Sequence, residues 1–286
     1  MADDYTTRRE SRQPAWRRYA LAGCALALAI STAVSAVPRV NPSHAGDPIE
    51  PTMVRVPGAV YTLGDPGWRH TKPRTVSIES FLLATREVTR GEFARFVAHT
   101  GRAIRGEHLA PADLPMTGLE WSRAKEYTLW LSANTGRAYR LPTSDEWEAA
   151  ARAAGATAFE WGDGEPPWAV RANLADRSAL RAYGVFTADS QFPLADAGYD
   201  DGYAGPAPPG SFPPNNLGLH DLTGNVSEWC ADVYQSDVLS GPGEYRVVRG
   251  SSFLTRRIAE VRVGHVIAHR MLTRHIGVGF RLARTE

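Results

Sequence analysis

The spacing of apolar and polar residues predicts regular elements in only part of the chain. Met53-Val54-Arg55-Val56 alternates apolar and polar positions and stops at Pro57-Gly58, which predicts an early strand and turn. At Thr89-Arg90-Gly91-Glu92 a threonine stands three residues before a glutamate, the reciprocal pattern that satisfies two orphan N–H groups at a helix start. Phe93, Phe96 and Val97 then fall on one face, and Gly101 supplies a left-handed stop. A second helix is predicted from about Ser122 to Asn134, burying Ala124, Tyr127, Thr128 and Leu131 and ending before Gly136. The third opens with the same capping pattern at Thr143-Ser144-Asp145-Glu146, turns Trp147 and Ala150 or Ala151 inward, and stops at Gly155. From Trp161 to Pro214 the helical period all but disappears, and Gly, Pro, Asp and aromatic residues dominate. So long an irregular stretch in a compact domain is expected to be functional, or tied down by metal or packed aromatics. There is no internal repeat and no low-complexity tract.

The amino terminus changes which residues belong to the working protein. Arg17 and Arg18, the apolar run from Ala20 to Ile30 and Val34-Ser35-Ala36 follow the order of a secretory signal peptide. Residues 1–36 are therefore expected to be removed, with an alternative cut after Ala45, and the product to be periplasmic or secreted. The apolar run is short for a membrane span, so no stable insertion is expected after cleavage; an uncleaved anchor is the alternative. Leu21-Ala22-Gly23-Cys24 resembles a lipoprotein box, but most of the apolar run follows Cys24, which reads as an ordinary signal-peptide cysteine. Arg8-Arg9 is followed by polar Glu10-Ser11-Arg12, which leaves the Sec and twin-arginine routes both open. Residues 37–50 read as a linker, and the remaining length suits one large domain or two small ones.

Losing residues 1–36 removes five arginines against three acids, so the formal charge falls from +1 to −1. A near-neutral chain gives no electrostatic reason to expect nucleic acid as a partner. Cys230 is then left alone and cannot close an internal disulfide, so stability must come from the core or from bound metal.

Several segments carry a resemblance. They are Ser80 to Thr89, Arg140 to Ala150 (Arg-Leu-Pro at its start), Asn215 to Trp229 (with Gly224-Asn225-Val226), Arg246 to Ser252, and Gly277 to Arg281. In this order, over residues 51–286, they resemble the formylglycine-generating enzyme (sulfatase-modifying factor) family. The resemblance implies an α/β (α+β), loop-rich domain related to the C-type lectin fold. It also implies structural calcium, held at Asn173 and the Leu174 carbonyl with Asp201 and the Tyr203 carbonyl, and separately around Asn225, Val226 and Glu228. An irregular loop can supply the several oxygens that such a hard cation needs. The alternative for these residues is a cluster of solvated turns, which Asp200-Asp201-Gly202 would readily make. Trp121, Trp147, Trp161 and Trp229 read as core or cavity-wall aromatics, and Glu146 as a capping residue.

Members that oxidise a sulfatase cysteine use two cysteines shortly after the glycine-serine element, whose soft thiolates bind copper(I). Counted from Gly250, those positions fall on Thr255 and Glu260, and neither side chain supplies a thiolate. The resemblance therefore argues against copper held by a dithiolate, and Cys230 lies elsewhere in the pattern, where it is expected to be buried and inert. Glu260, His265, His269 and His275 offer a different set. Were residues 265–269 helical, His265 and His269 would share a face and could hold a transition metal with Glu260; the resemblance, however, implies loop and strand here, the spacing of Val261, Val263, Val266 and Ile267 suits neither period cleanly, and exposed or hydrogen-bonded histidines are the alternative. Together with Ser252 and Thr255, Glu260 is expected at the floor of a substrate groove, where a carboxylate suits general acid or base work, against the alternative of a salt bridge to Arg256, Arg257 or Arg262. Two functions follow as expectations. One is a periplasmic enzyme of altered chemistry acting on a peptide or peptide-like substrate, as the resemblance to cysteine-lacking relatives in pyoverdine maturation implies. The other is a non-catalytic lectin-fold module that assists a periplasmic redox enzyme.

Overall fold

The computed structural model describes residues 47–66, 72–102, 111–152, 158–160, 172–183, 198–235 and 244–286. The segment read as a signal peptide, both expected cut sites, most of the expected linker, Gly155 and Trp161 lie outside the described residues. In chain order the elements are β1 (Met53–Val56), β2 (Ala59–Leu63), β3 (Arg74–Ile78), β4 (Phe81–Ala84), α1 (Arg90–Thr100), α2 (Trp121–Thr135), β5 (Tyr139–Arg140), α3 (Ser144–Arg152), α4 (Arg177–Tyr183), β6 (Ser227–Val233), β7 (Tyr245–Arg249), β8 (Val266–Arg270), β9 (Val278–Gly279) and β10 (Ala283–Thr285). Among the described residues three sheets form, ordered β1-β4-β10-β5, β2-β3 and β8-β7-β6-β9. The closing strand β10 lies inside its sheet, pairing Ala283 with Leu83 on one side and Arg140 on the other.

The capping patterns form as the sequence predicts. The Thr89 hydroxyl accepts from the Glu92 amide while the Glu92 carboxylate accepts from the Thr89 amide at 2.7 Å, and α1 stops at Gly101 with φ +68°. Thr143 and Glu146 repeat the exchange at α3, at 3.1 and 2.8 Å, and Arg140 holds the same glutamate at 2.7 Å. Each exchange satisfies backbone donors that a helix start would otherwise leave open. One element departs from the sequence reading: α4 stands inside the stretch that showed no helical period. Its seven residues are too few to display a periodicity, and it is started by Asp176, whose Oδ1 accepts from the amides of Ser178 and Ala179 at 2.7 and 3.2 Å.

Two apolar clusters flank the sheets. In the first, Phe93 stacks on Tyr127 with centroids 5.6 Å apart, and Phe96, Trp130, Trp229 and Phe280 close around them. In the second, Val56, Leu83, Trp147, Leu219, Cys230 and Val247 pack between the first sheet, α3 and the third sheet. Trp147 and Trp229 are core residues, and Trp121 is half-buried beneath the Arg246 guanidinium, 4.0 Å from its ring centroid. Cys230 is completely buried, and burial pushes its thiol up, which leaves it unreactive.

Candidate functional site

Glycines and left-handed residues bring the irregular loops together. Gly224 takes φ +82°, and a Cβ there would lie 2.5 Å from the Asn173 carbonyl. The loops meet at that point. The Asn225 amide donates to the Asn173 carbonyl at 2.8 Å, and Asn173 Nδ2 donates to Asn225 Oδ1 at 3.2 Å and to the Gly205 carbonyl at 2.8 Å. Asn173 Oδ1 is buried with no hydrogen-bond partner. Beside it, Asp201 accepts the amides of Leu174 and Tyr203, each at 2.8 Å. Burial pushes the Asp201 carboxyl up to about 7, its backbone hydrogen bonds oppose this, and the charges of Asp176 and Asp200 add to the rise. Asp200 itself is held well below the usual carboxylate range by Arg181 and Ser178.

A second polar cluster adjoins this one. Asn225, at φ +56°, donates through Nδ2 to Glu87 Oε1 at 3.0 Å and accepts the Ala207 amide at 2.9 Å. Glu228 is fully buried, with both oxygens engaged: Arg281 grips them at 2.6–2.8 Å and Trp147 Nε1 donates at 2.8 Å. Glu87 and Asp221, which the sequence reading did not single out, face the same guanidinium. One oxygen of each, Glu87 Oε2 and Asp221 Oδ1, has no partner. Burial pushes both carboxyls up, with neighbouring carboxylates adding to the effect and Arg281 opposing it. Three buried carboxylates thus share one guanidinium, a deficit of positive charge that a divalent cation or bound protons would remove. Asp221 takes a left-handed backbone, φ +57°, immediately before Leu222-Thr223-Gly224, which no local sequence pattern announces. Among the described residues no three His, Cys, Asp or Glu side chains already converge as a metal-ligand cluster.

The predicted groove residues follow β7. Ser252 donates its amide to Thr255 Oγ1 at 3.0 Å, its Oγ accepts the Leu254 amide at 3.3 Å, and its carbonyl accepts the Thr255 amide at 2.8 Å. This tight turn is tied to the calcium-candidate loops, because the Ala175 amide bonds the Thr255 carbonyl at 3.0 Å and the Phe253 amide bonds the Asn225 carbonyl at 2.9 Å. Glu260 lies in a short 3-10 turn, Ile258–Val261, and is half-buried. Of the three arginines considered for it, Arg262 pairs with Asp65, and no ion pair joins Glu260 to Arg256 or Arg257.

The histidines are arranged differently from the helical expectation. Residues 266–270 form strand β8, so His265 and His269 do not share a helical face; along an extended chain they stand on the order of 13 Å apart. His265 Nδ1 is 2.8 Å from the Glu260 carbonyl. His269 meets His275 instead, ring centroids 5.5 Å apart, with Trp229 on its other side at 6.0 Å. Burial and the neighbouring His275 push His269 down. A Cβ on Gly277 would lie 3.0 Å from Ser252 Oγ and 3.3 Å from His275 Cε1, so the missing side chain lets Ser252 and His275 approach each other. The sequence reading named Ser252 but did not connect it with His275, which Gly277 alone could have suggested.

Comparison with known proteins agrees with this architecture. The chain is 28% identical to a formylglycine-generating enzyme of Thermomonospora curvata over 76% of its own length and 86% of the relative's. It is 29% identical to mouse inactive C-alpha-formylglycine-generating enzyme 2 over 76% and 78%. Among solved structures it resembles PvdO from Pseudomonas aeruginosa, with TM-score 0.64 and 26% identity, covering 82% of this chain and 95% of that one. Residues 40–286 match the sulfatase-modifying factor enzyme 1-like domain, and the chain belongs to this formylglycine-generating enzyme family.

Proposed function

We propose that the protein is an exported enzyme of altered chemistry, which oxidises or matures a peptide-like substrate in the groove at Ser252, Thr255 and Glu260 without a copper dithiolate. The observation that carries this reading is Glu260: a half-buried carboxylate with no arginine partner among the described residues, at a position where the family's oxidases place a thiol. Such a group accepts a proton from a bound substrate. The hydroxyls of Ser252 and Thr255 each accept a backbone amide, which leaves their own protons to donate to substrate carbonyls. The likeness to PvdO, a relative of the same fold, supports the reading.

Calcium fits the loops that hold this groove. Asn173 Oδ1, the Leu174 carbonyl, Asp201 and the Tyr203 carbonyl would hold one ion, which would satisfy the orphaned amide oxygen and neutralise a buried carboxylate. A second ion, expected at Asn225, Val226 and Glu228, would find its free oxygens on neighbouring residues instead. There Glu228 is already engaged by Arg281, and the free oxygens belong to Glu87 and Asp221. Calcium supplies charge neutralisation and rigidity in both places.

A second reading, a non-catalytic accessory module of a periplasmic redox or maturation system, is favoured by the similarity to mouse inactive C-alpha-formylglycine-generating enzyme 2. One experiment separates the two. Periplasmic extracts from cells carrying the wild type or Glu260→Gln are compared by mass spectrometry, with metal analysis of both purified proteins. A modified peptide-like species that is lost in the variant, with metal content unchanged, supports the enzyme. Identical profiles support the accessory role.

A further inference from the structure

The third sheet ends in an unprotected strand. Among the described residues β8 pairs only with β7, in the register Arg246↔His269 and Val248↔Ile267. The Met271 amide bonds the Glu244 carbonyl at 2.7 Å, which fixes the phase of the ladder: residues 267 and 269 turn their backbone groups toward β7, and 266, 268 and 270 turn theirs outward. The Arg270 carbonyl is taken by the Thr273 amide at 2.8 Å. Among the described residues the N–H groups of Val266, Ala268 and Arg270 and the carbonyls of Val266 and Ala268 have no partner. Proteins usually blunt such an edge with lysine, proline or an inward charge, and Val266-Ile267-Ala268-His269 carries none of these.

At the Val266 end of the edge lies a cavity of about 270 Å³, lined by Val266, Gly64, Lys72, Arg74, Ser144, Glu148 and Arg249. This is smaller than the usual site for a drug-sized ligand and of a size to take one side chain. Its charges are balanced except at one point. Arg249 pairs with Glu148 at 2.7 Å and Arg74 pairs with Asp145, while exposed Lys72 has no ion-pair partner among the described residues. A strand added to β8 would set a residue opposite Val266, and that residue's side chain would project on the cavity face beside Lys72.

We propose that β8 is a docking edge for an extended acidic polypeptide segment, which adds as a strand through Val266, Ala268 and Arg270 and places a carboxylate side chain in the cavity facing Lys72. Main-chain bonds supply affinity and the cavity supplies selectivity. Pairing of two copies through this edge is disfavoured, because antiparallel alignment on Ala268 sets Arg270 of one copy opposite Val266 of the other, beside Lys72. The site is separate from the groove at Glu260 and does not depend on catalysis.

The test uses a short capped peptide of alternating glutamate and valine, its lysine–valine counterpart, and a version N-methylated on alternate amides, titrated against the full protein. Hydrogen exchange at Ala268 is followed at the same time. The glutamate peptide is expected to bind and to protect the Ala268 amide, which exchanges fast in the free protein. The lysine peptide is expected to bind about fivefold or more weakly, and Lys72→Glu to erase that preference. N-methylation and Ala268→Pro, which removes an outward donor without touching the β7 ladder, should abolish binding. Slow exchange of Ala268 in the free protein, equal binding of the glutamate and lysine peptides, or unchanged binding to a folded Ala268→Pro variant would overturn the proposal. Concentration-dependent dimerisation through β8 would overturn it in favour of self-association.

Discussion

Glu228 and Glu260 are carboxylates of one domain in opposite situations. Glu228 is completely buried, and Arg281 and Trp147 engage both of its oxygens. Glu260 is half-buried in a single 3-10 turn and has no arginine against it among the described residues. The first is held by partners from two distant parts of the chain, and removing Arg281 strands a charge. The second has no side-chain partner among the described residues. The contrast separates structure from candidate chemistry: a fully engaged carboxylate stabilises the fold, and one without partners among the described residues is a candidate to act on something else.

The largest expected effect comes from breaking the engaged side. Arg281→Met leaves Glu228, Glu87 and Asp221 without their shared cation and should cost about 3–5 kcal/mol in urea unfolding. A loss below about 1 kcal/mol would mean that the three carboxylates are neutralised by some other route. Next comes the metal. Calcium at a hundred times its dissociation constant should stabilise the protein by about 2.7 kcal/mol relative to chelated protein, and Asn173→Ala should remove most of that gain. No shift in melting temperature on chelation would exclude the proposed ions. In the groove the effects shrink: Thr255→Val deletes the acceptor for the Ser252 amide and should cost about 1 kcal/mol. Smallest of all, Glu260→Gln should change stability by no more than about 0.5 kcal/mol while abolishing any activity of the groove. A large destabilisation there would make Glu260 structural and erase the contrast with Glu228.

The helix starts were legible in the sequence because their determinants are local. Thr89 with Glu92, and Thr143 with Glu146, meet their partners three residues away whatever the rest of the chain does. α4 was hidden because seven residues do not reveal a period, although Asp176 before Ser178 was a usable capping signal. The Glu87–Asp221–Arg281 cluster was hidden for the opposite reason, since its members converge through strand pairing and left-handed turns that no local pattern reports. The histidines show how a spacing misleads: His265 and His269 fit a helical face, but the β7 ladder extends this segment and gives His269 a neighbour, His275, from the following turn. Thr255 and Glu260 were reached only by counting from Gly250 against the family pattern, and their surroundings became visible only in three dimensions.

The central claim is that this family member works without copper-dithiolate chemistry, and peptide mass spectrometry tests it most directly. The purified protein is incubated with copper(I), oxygen and a cysteine peptide of the sulfatase type. The cysteine is expected to be recovered unchanged, since Cys230 is sealed in the core. Conversion of that cysteine to formylglycine would contradict it.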